Sequence, residues 1–146
     1  MQKSDINGKG EYFINSGMKN FGIKGKTDRE AKVFPSNTIT IDFFGIANYR
    51  PCPYKMATHN HVFSFSGDTI KNEDVGLFFV AASRYMTKKY SFNNMATCPV
   101  LEKETFTQQG KLNYAIMQAY IHATKKMCIA KAVIENERKA YRKALE

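Results

Sequence analysis

The sequence has no tryptophan, and only three histidines, three cysteines and four prolines among 146 residues. Cys52, Cys98 and Cys128 are odd in number and widely separated, with no C-x-x-C pair. That excludes a zinc ribbon and a disulfide framework, and reduced thiols in a cytoplasmic protein are the expectation. No apolar run approaches the roughly 20 residues that cross a bilayer. The opening Gln2-Lys3-Ser4-Asp5 lacks the apolar stretch of a signal peptide, so no membrane partner is expected. Acidic residues are also scarce: 13 stand against 22 lysines and arginines, for a formal charge of +9. Residues 1–110 hold 14 basic and 10 acidic side chains, and residues 111–146 hold 8 and 3. Such a surplus favours a polyanion, with nucleic acid ahead of an anionic membrane surface.

Catalytic signatures are missing as well. There is no G-x-S-x-G elbow, no Asn/Asp-Pro-Pro-Tyr/Phe methyl-acceptor motif and no glycine-rich S-adenosylmethionine loop. Gly22 and Gly25 have a G-x-x-G spacing, but no Lys-Ser/Thr opening a helix follows, so phosphate cradling is excluded. Asp28-x-Glu30-x-Lys32 packs its carboxylates into one charged loop, whereas a nuclease needs them on neighbouring strands; Glu102-Lys103-Glu104 is read the same way. His59-Asn60-His61 places two imidazoles on one strand face, a spacing able to take a metal. The remaining histidine, His122, falls in a helical pattern, so a structural hydrogen-bonding role is the preferred reading. A small metal-dependent nuclease built on His59 and His61 stands as the alternative. No catalytic residue, metal ligand or cofactor is assigned to this chain.

What is present is aromatic and β-rich, with 11 Phe, 8 Tyr and 43% apolar residues. Phe34-Pro35-Ser36-Asn37 is a turn sequence, and Thr38-Ile39-Thr40-Ile41-Asp42-Phe43 alternates like a strand buried on one face. Ala47-Asn48-Tyr49-Arg50 resumes the pattern until Pro51 and Pro53, which bar a central strand there, and His61-Val62-Phe63-Ser64-Phe65 repeats it. Glu11 to Asn15 reads as a short strand. A Gly-punctuated segment from Asn20 to Gly25 and a charged loop from Lys26 to Ala31 follow. After Asp68 the period changes: Asn72 is set to cap a helix with Glu73 and Asp74 in its first turn. Val75, Phe78, Phe79, Ala82 and Met86 then share one face, and Arg84, Lys88 and Lys89 gather at the end. Cys98 to Gly110 reads as an irregular link with a possible strand at Thr105-Phe106-Thr107. From Lys111 on there is neither Gly nor Pro. Ile116, Tyr120, Ala123, Met127, Ala130, Ile134, Glu137, Tyr141 and Ala144 recur at spacings of four and three, which predicts one long helix with a weak coiled-coil seam.

Four ordered motifs are more specific. Asn15-Ser16-Gly17-Met18-Lys19-Asn20-Phe21-Gly22-Ile23-Lys24-Gly25, Val33-Phe34-Pro35-Ser36-Asn37-Thr38-Ile39-Thr40-Ile41-Asp42-Phe43-Phe44-Gly45, Tyr54-Lys55-Met56-Ala57-Thr58-His59-Asn60-His61-Val62 and Tyr90-Ser91-Phe92-Asn93-Asn94-Met95 occur in sequence. Together they resemble the target-recognition domains of restriction–modification specificity subunits, type I and related. The resemblance covers most of residues 10–100. Two departures accompany it: the family has a further segment before the Gly8–Tyr12 region, and its Trp and Leu-Pro link is replaced here by Cys98-Pro99 and a shortened Val100–Gln109.

The resemblance implies an α+β fold, with a β-rich DNA target-recognition domain over residues 1–110 and a spacer or dimerisation helix over 111–146. It implies sequence-specific binding of double-stranded DNA without catalysis, in the service of a partner methyltransferase that holds S-adenosylmethionine, with a restriction subunit as a further partner. With one domain and one helix, the expectation is a half-subunit, a fragment or the product of a truncated specificity gene. The last would leave an interaction module. Planar and cationic side chains on turns are the DNA-contact candidates: Lys19, Asn20, Lys24, Asn48, Arg50, Arg84, Lys88 and Lys89. Tyr120, Met127, Ile134 and Tyr141 are the candidate seam of a homodimer or partner helix.

Overall fold

A computed structural model describes residues 3–57, 61–68, 70, 72–101 and 114–144. Its strands are β1 (Glu11–Ile14), β2 (Ile23–Thr27), β3 (Val33–Phe34), β4 (Thr38–Asp42), β5 (Ala47–Arg50), β6 (Tyr54–Met56) and β7 (Val62–Phe65). The helices are α1 (Glu73–Ala82), α2 (Met86–Lys89), α3 (Cys98–Leu101) and α4 (Tyr114–Ala144). One sheet has the order β5-β4-β7 and is antiparallel. The other runs β2-β1-β6-β3, with β1 and β6 parallel and the outer pairs antiparallel. The fold class is α+β, a β-rich body followed by a long helix.

The three strands expected from alternation are those of the first sheet. The sequence pattern predicts one buried face for β4, but all five of its residues are buried. Ile39 and Ile41 pack with Val75 and Phe79 of α1 and with the half-buried Tyr49, Phe63 and Phe65. On the opposite side, Asp42 bonds the β4–β5 turn and the Gly17 amide, Thr40 accepts from Arg50 of its own sheet, and Thr38 meets the second sheet. There the Tyr54 hydroxyl lies 3.0 Å from Thr38 Oγ1 and 2.7 Å from Ser64 Oγ, so the polar face is satisfied internally. A strand with hydroxyls on one side can thus be central when the facing sheet returns hydrogen bonds.

Several expectations need correction. The segment read as glycine turns and charged loop contains β2, in which Lys24 and Lys26 alternate with Ile23, Gly25 and Thr27. Pro53 does not bar a central strand: it precedes β6, which lies between β1 and β3, and being outside the ladder it removes no interstrand donor. The link from Cys98 begins with the helical turn α3 and buries Leu101; Thr105–Thr107 lies outside the described residues.

Asn72 does cap α1, its side chain accepting from Val75 N at 3.1 Å. Val75, Phe79 and Met86 are buried, whereas Ala82 is exposed. A 3-10 turn follows at Ser83–Tyr85, where Ser83 Oγ donates to Phe79 O at 2.6 Å before α2 begins. Gly76 lets α1 sit directly on the sheet, because a Cβ there would come within 2.4 Å of the Tyr49 ring. On the other side of α1 lies α4, which buries Met117 and Ile121 and sets Tyr120 edge-on to Phe78 at 6.0 Å. His122 Nε2 and Lys125 Nζ reach Asp74 at 2.6 and 2.8 Å. Beyond that anchor, residues 125–140 are all exposed.

Candidate nucleic-acid interface

Three segments converge on the turn between β4 and β5. Asp42, buried at the end of β4, organises it. Its Oδ1 accepts from Phe44 N and Ile46 N at 3.0 and 2.9 Å, closing the turn, and its Oδ2 accepts from Gly17 N at 2.9 Å. That last bond ties down the loop between β1 and β2. Next along the turn, Phe43 O accepts from Ala96 N at 2.9 Å, fastening the end of the 90–96 loop. Phe43 N donates to His61 O at 3.1 Å, fastening the start of β7. Gly45 (φ 76°) completes the arrangement by lying against the α2 backbone, where a Cβ would come within 2.7 Å of Met86 Cβ.

The β1–β2 loop carries Lys19 and Asn20, and Lys24 follows at the start of β2; all three are exposed. From Asn15 to Thr27 the chain has three lysines and no carboxylate. Asn20 and Phe21 both hold positive φ, 51° and 54°, and Asn20 Nδ2 donates to Ile23 O at 3.2 Å. Gly22 follows at φ 76°, pressed against Asn15 O so closely that a Cβ would lie 2.5 Å from it. The loop is therefore a tightly wound turn with its side chains outward.

The second group sits after α1. Arg84, Lys88 and Lys89 are exposed on the 3-10 turn and α2, with Lys89 Nζ 5.5 Å from the Tyr90 ring centre. Ser91 and Asn94 then close a turn through backbone hydrogen bonds of 3.0 and 3.1 Å, leaving Phe92 and Asn93 exposed at its tip. Asn94 Nδ2 donates to Lys89 O at 3.1 Å and holds the turn to α2.

The remaining candidates are placed differently. Asn48 is half-buried on β5 opposite Thr40. Arg50 is a correction to the expectation of a surface contact: it is 5% exposed. Its Nε donates to Thr40 Oγ1 at 2.9 Å and its Nη2 to Phe21 O at 2.8 Å. Burial pulls its pKa down to about 10, still far above neutrality, so a cation is held inside by a hydroxyl and a carbonyl. Arg50 thus shapes the lysine-bearing loop from beneath. Asp42 and Arg50 were not foreseen in this role, since a strand-end carboxylate and a strand-end guanidinium carry no sequence mark of what they will bond.

His61 is exposed, with its ring 5.1 Å from that of Phe43, while His59 lies outside the described residues. Among the described residues no three His, Cys, Asp or Glu side chains group as a metal site. The helix candidates Tyr120, Met127 and Ile134 are 58%, 59% and 48% exposed; α4 docks within the chain by Met117 and Ile121, with Tyr120 edge-on to Phe78, and Met127 and Ile134 lie beyond that contact. The Tyr141 side chain lies outside the described residues. No helix among the described residues is long and apolar enough to cross a membrane.

A basic, β-rich body that gathers lysine- and asparagine-bearing turns about one strand end, with a helix projecting from it, has the form of a DNA-recognition module. The chain belongs to the family of the type I restriction modification DNA specificity domain, which its residues 1–130 match. Domains of that family provide sequence-specific DNA recognition in restriction–modification systems. The matched span includes the anchored part of α4. No curated protein and no solved structure matches the chain.

Proposed function

We propose that this chain is a non-catalytic specificity subunit, or half of one, that reads one segment of a duplex target and directs a methyltransferase, and with it a restriction subunit, to that site. S-adenosylmethionine would be held by the methyltransferase. The observation that supports this most is the fastening of the 15–24 and 88–96 segments to a single turn, which puts Lys19, Asn20 and Lys24 on the same scaffold as Lys88, Lys89 and Asn93. Lysines on that scaffold suit phosphates, and the asparagines suit base edges. Arg84 extends the cationic surface, and Asn48 on β5 is a further candidate.

A single domain reads too little sequence to choose a rare site. A second copy joined through α4 would supply the other half, making the target an inverted repeat around a fixed spacer. Tyr120, Met127, Ile134 and Tyr141 fall at successive heptad positions of a helix about 46 Å long. Analytical ultracentrifugation of wild type against Met127→Asp with Ile134→Asp, alone and with the methyltransferase, tests this, and a wild type that stays single in that complex rules the pairing out. DNA binding is tested by Lys88→Ala with Lys89→Ala. Affinity for all duplexes should fall together, and the log–log salt slope should drop by about 0.9 for each lost phosphate contact. An unchanged slope would return those lysines to the ordinary role of cations at a helix end.

A further inference from the structure

The β1–β2 loop shows two large apolar side chains that none of the described residues covers: Met18 is 76% exposed and Phe21 is 68% exposed. Phe21 also holds φ 54°, a left-handed conformation that glycine adopts freely and a bulky residue resists. Neither feature comes from a loose segment. Asp42 grips Gly17 N and Arg50 grips Phe21 O, each from a buried position, so both ends of the four-residue tip are fixed to the sheet. A rigid loop thus keeps a phenylalanine outward at a conformational cost. Its neighbours Lys19 and Lys24 are exposed cations, with no acidic residue between Asn15 and Thr27.

We propose that Phe21, flanked by Met18, is a wedge that enters a base step of duplex DNA, with Lys19 and Lys24 on the adjoining phosphates. This rests on the reading of the chain as a DNA-specificity domain. Apolar side chains that part stacked bases must be presented stiffly, because a flexible loop would fold them back before they unstack anything. Asp42 and Arg50 are the positioning residues that provide this stiffness. Three lysines and no carboxylate from Asn15 to Thr27 favour DNA as the occupant, its phosphates supplying the complementary charge on both sides of a base step. Such a wedge would make the domain sensitive to how easily a step deforms, and so add specificity at base pairs it does not hydrogen-bond.

The test uses the full chain with duplexes selected by the wild type from a random 20-bp library, carrying 2-aminopurine at successive positions. Wild type should brighten the probe at one step. Phe21→Gly removes the ring and relieves the left-handed strain, so its thermal midpoint should hold or rise. Its affinity for the selected duplex should nevertheless fall about tenfold or more, the worth of one stacked base. The fluorescence gain should vanish while the salt slope stays that of wild type. Lys19→Ala should show the opposite pattern, a reduced slope with the fluorescence gain retained. Phe21→Gly binding as wild type with the signal intact would overturn the wedge and leave the DNA reading standing. So would normal DNA binding joined to loss of the methyltransferase in pull-down, which would make Phe21 a protein contact. Failure of wild type to select any duplex would overturn the DNA reading and the wedge with it.

Discussion

The β-rich body and the outer part of α4 solve the same problem in opposite ways. In the body, polar and apolar groups are both buried: β4 has isoleucines on one side and two threonines and an aspartate on the other, each with partners. Among the described side chains of α4, Met117 and Ile121 are buried, and from Lys125 to Ala140 every residue is exposed, including Met127, Ile129, Val133 and Ile134. Helices are stabilised mainly by an apolar face packed on something. The body therefore holds its own stability, whereas the outer helix leaves its apolar residues exposed. The anchor between them is a small one: two buried side chains, one edge-on aromatic pair and the Asp74 ion pairs.

The sharpest way to break this contrast is a matched pair of truncations. Phe79→Ala, in the core between α1 and the sheet, should cost about 3–5 kcal/mol in denaturant unfolding. Ile134→Ala in the dilute chain should cost under about 0.5 kcal/mol. Equal losses would mean that the outer helix folds back on the body. A smaller effect is expected at Gly76→Ala, which forces a methyl against the Tyr49 ring. About 1–3 kcal/mol should be lost by overpacking, with near-ultraviolet tyrosine signals altered. No loss would show that α1 can lift off the sheet cheaply.

The smallest effect belongs to the anchor itself. The hydrogen bond from Lys125, helped by that from His122, holds the Asp74 carboxyl below the ordinary carboxylate range, and the same pairing raises Lys125. A depressed carboxylate stabilises above its unfolded value and loses that contribution as pH falls through the folded one; a raised lysine loses its share only as pH rises past the ordinary lysine value. The anchor should hold across neutral pH and weaken in acid. Asp74→Asn should abolish that acid dependence at a cost below about 1 kcal/mol, since the partners are solvent-exposed. Amide exchange across residues 117–125 should quicken in the variant at neutral pH, and an acid limb that persists in it would assign the effect elsewhere.

Much of this architecture is legible in the sequence, and where it is not the reason is physical. The β5-β4-β7 sheet, the Asn72 cap and the long helix all follow from periodicity and capping chemistry. The second sheet hides because β6, one of its two inner strands, is short, follows Pro53 and contains Lys55, a residue that looks exposed. Lys55 is 5% exposed, with its ammonium 2.9 Å from Glu11 and 2.8 Å from Arg29 O. Arg50 misleads in the same manner: charge in the sequence does not say whether a guanidinium will find partners inside. At the candidate interface, Lys19, Asn20 and Lys24 could be proposed from composition. Phe21 could not, because its exposure depends on two left-handed residues and two buried anchors from distant strands.

Those anchors have a consequence for how such a loop can change. Asp42 meets the loop at the Gly17 amide and Arg50 at the Phe21 carbonyl, so each recognises main chain and not a side chain. The body thus places no demand on which side chains stand at positions 18–21, beyond tolerance of the turn. New side chains there can be tried without renegotiating the core, and a binding preference can drift while the fold stays still. The two buried charges act as a socket, blind to what is plugged into it.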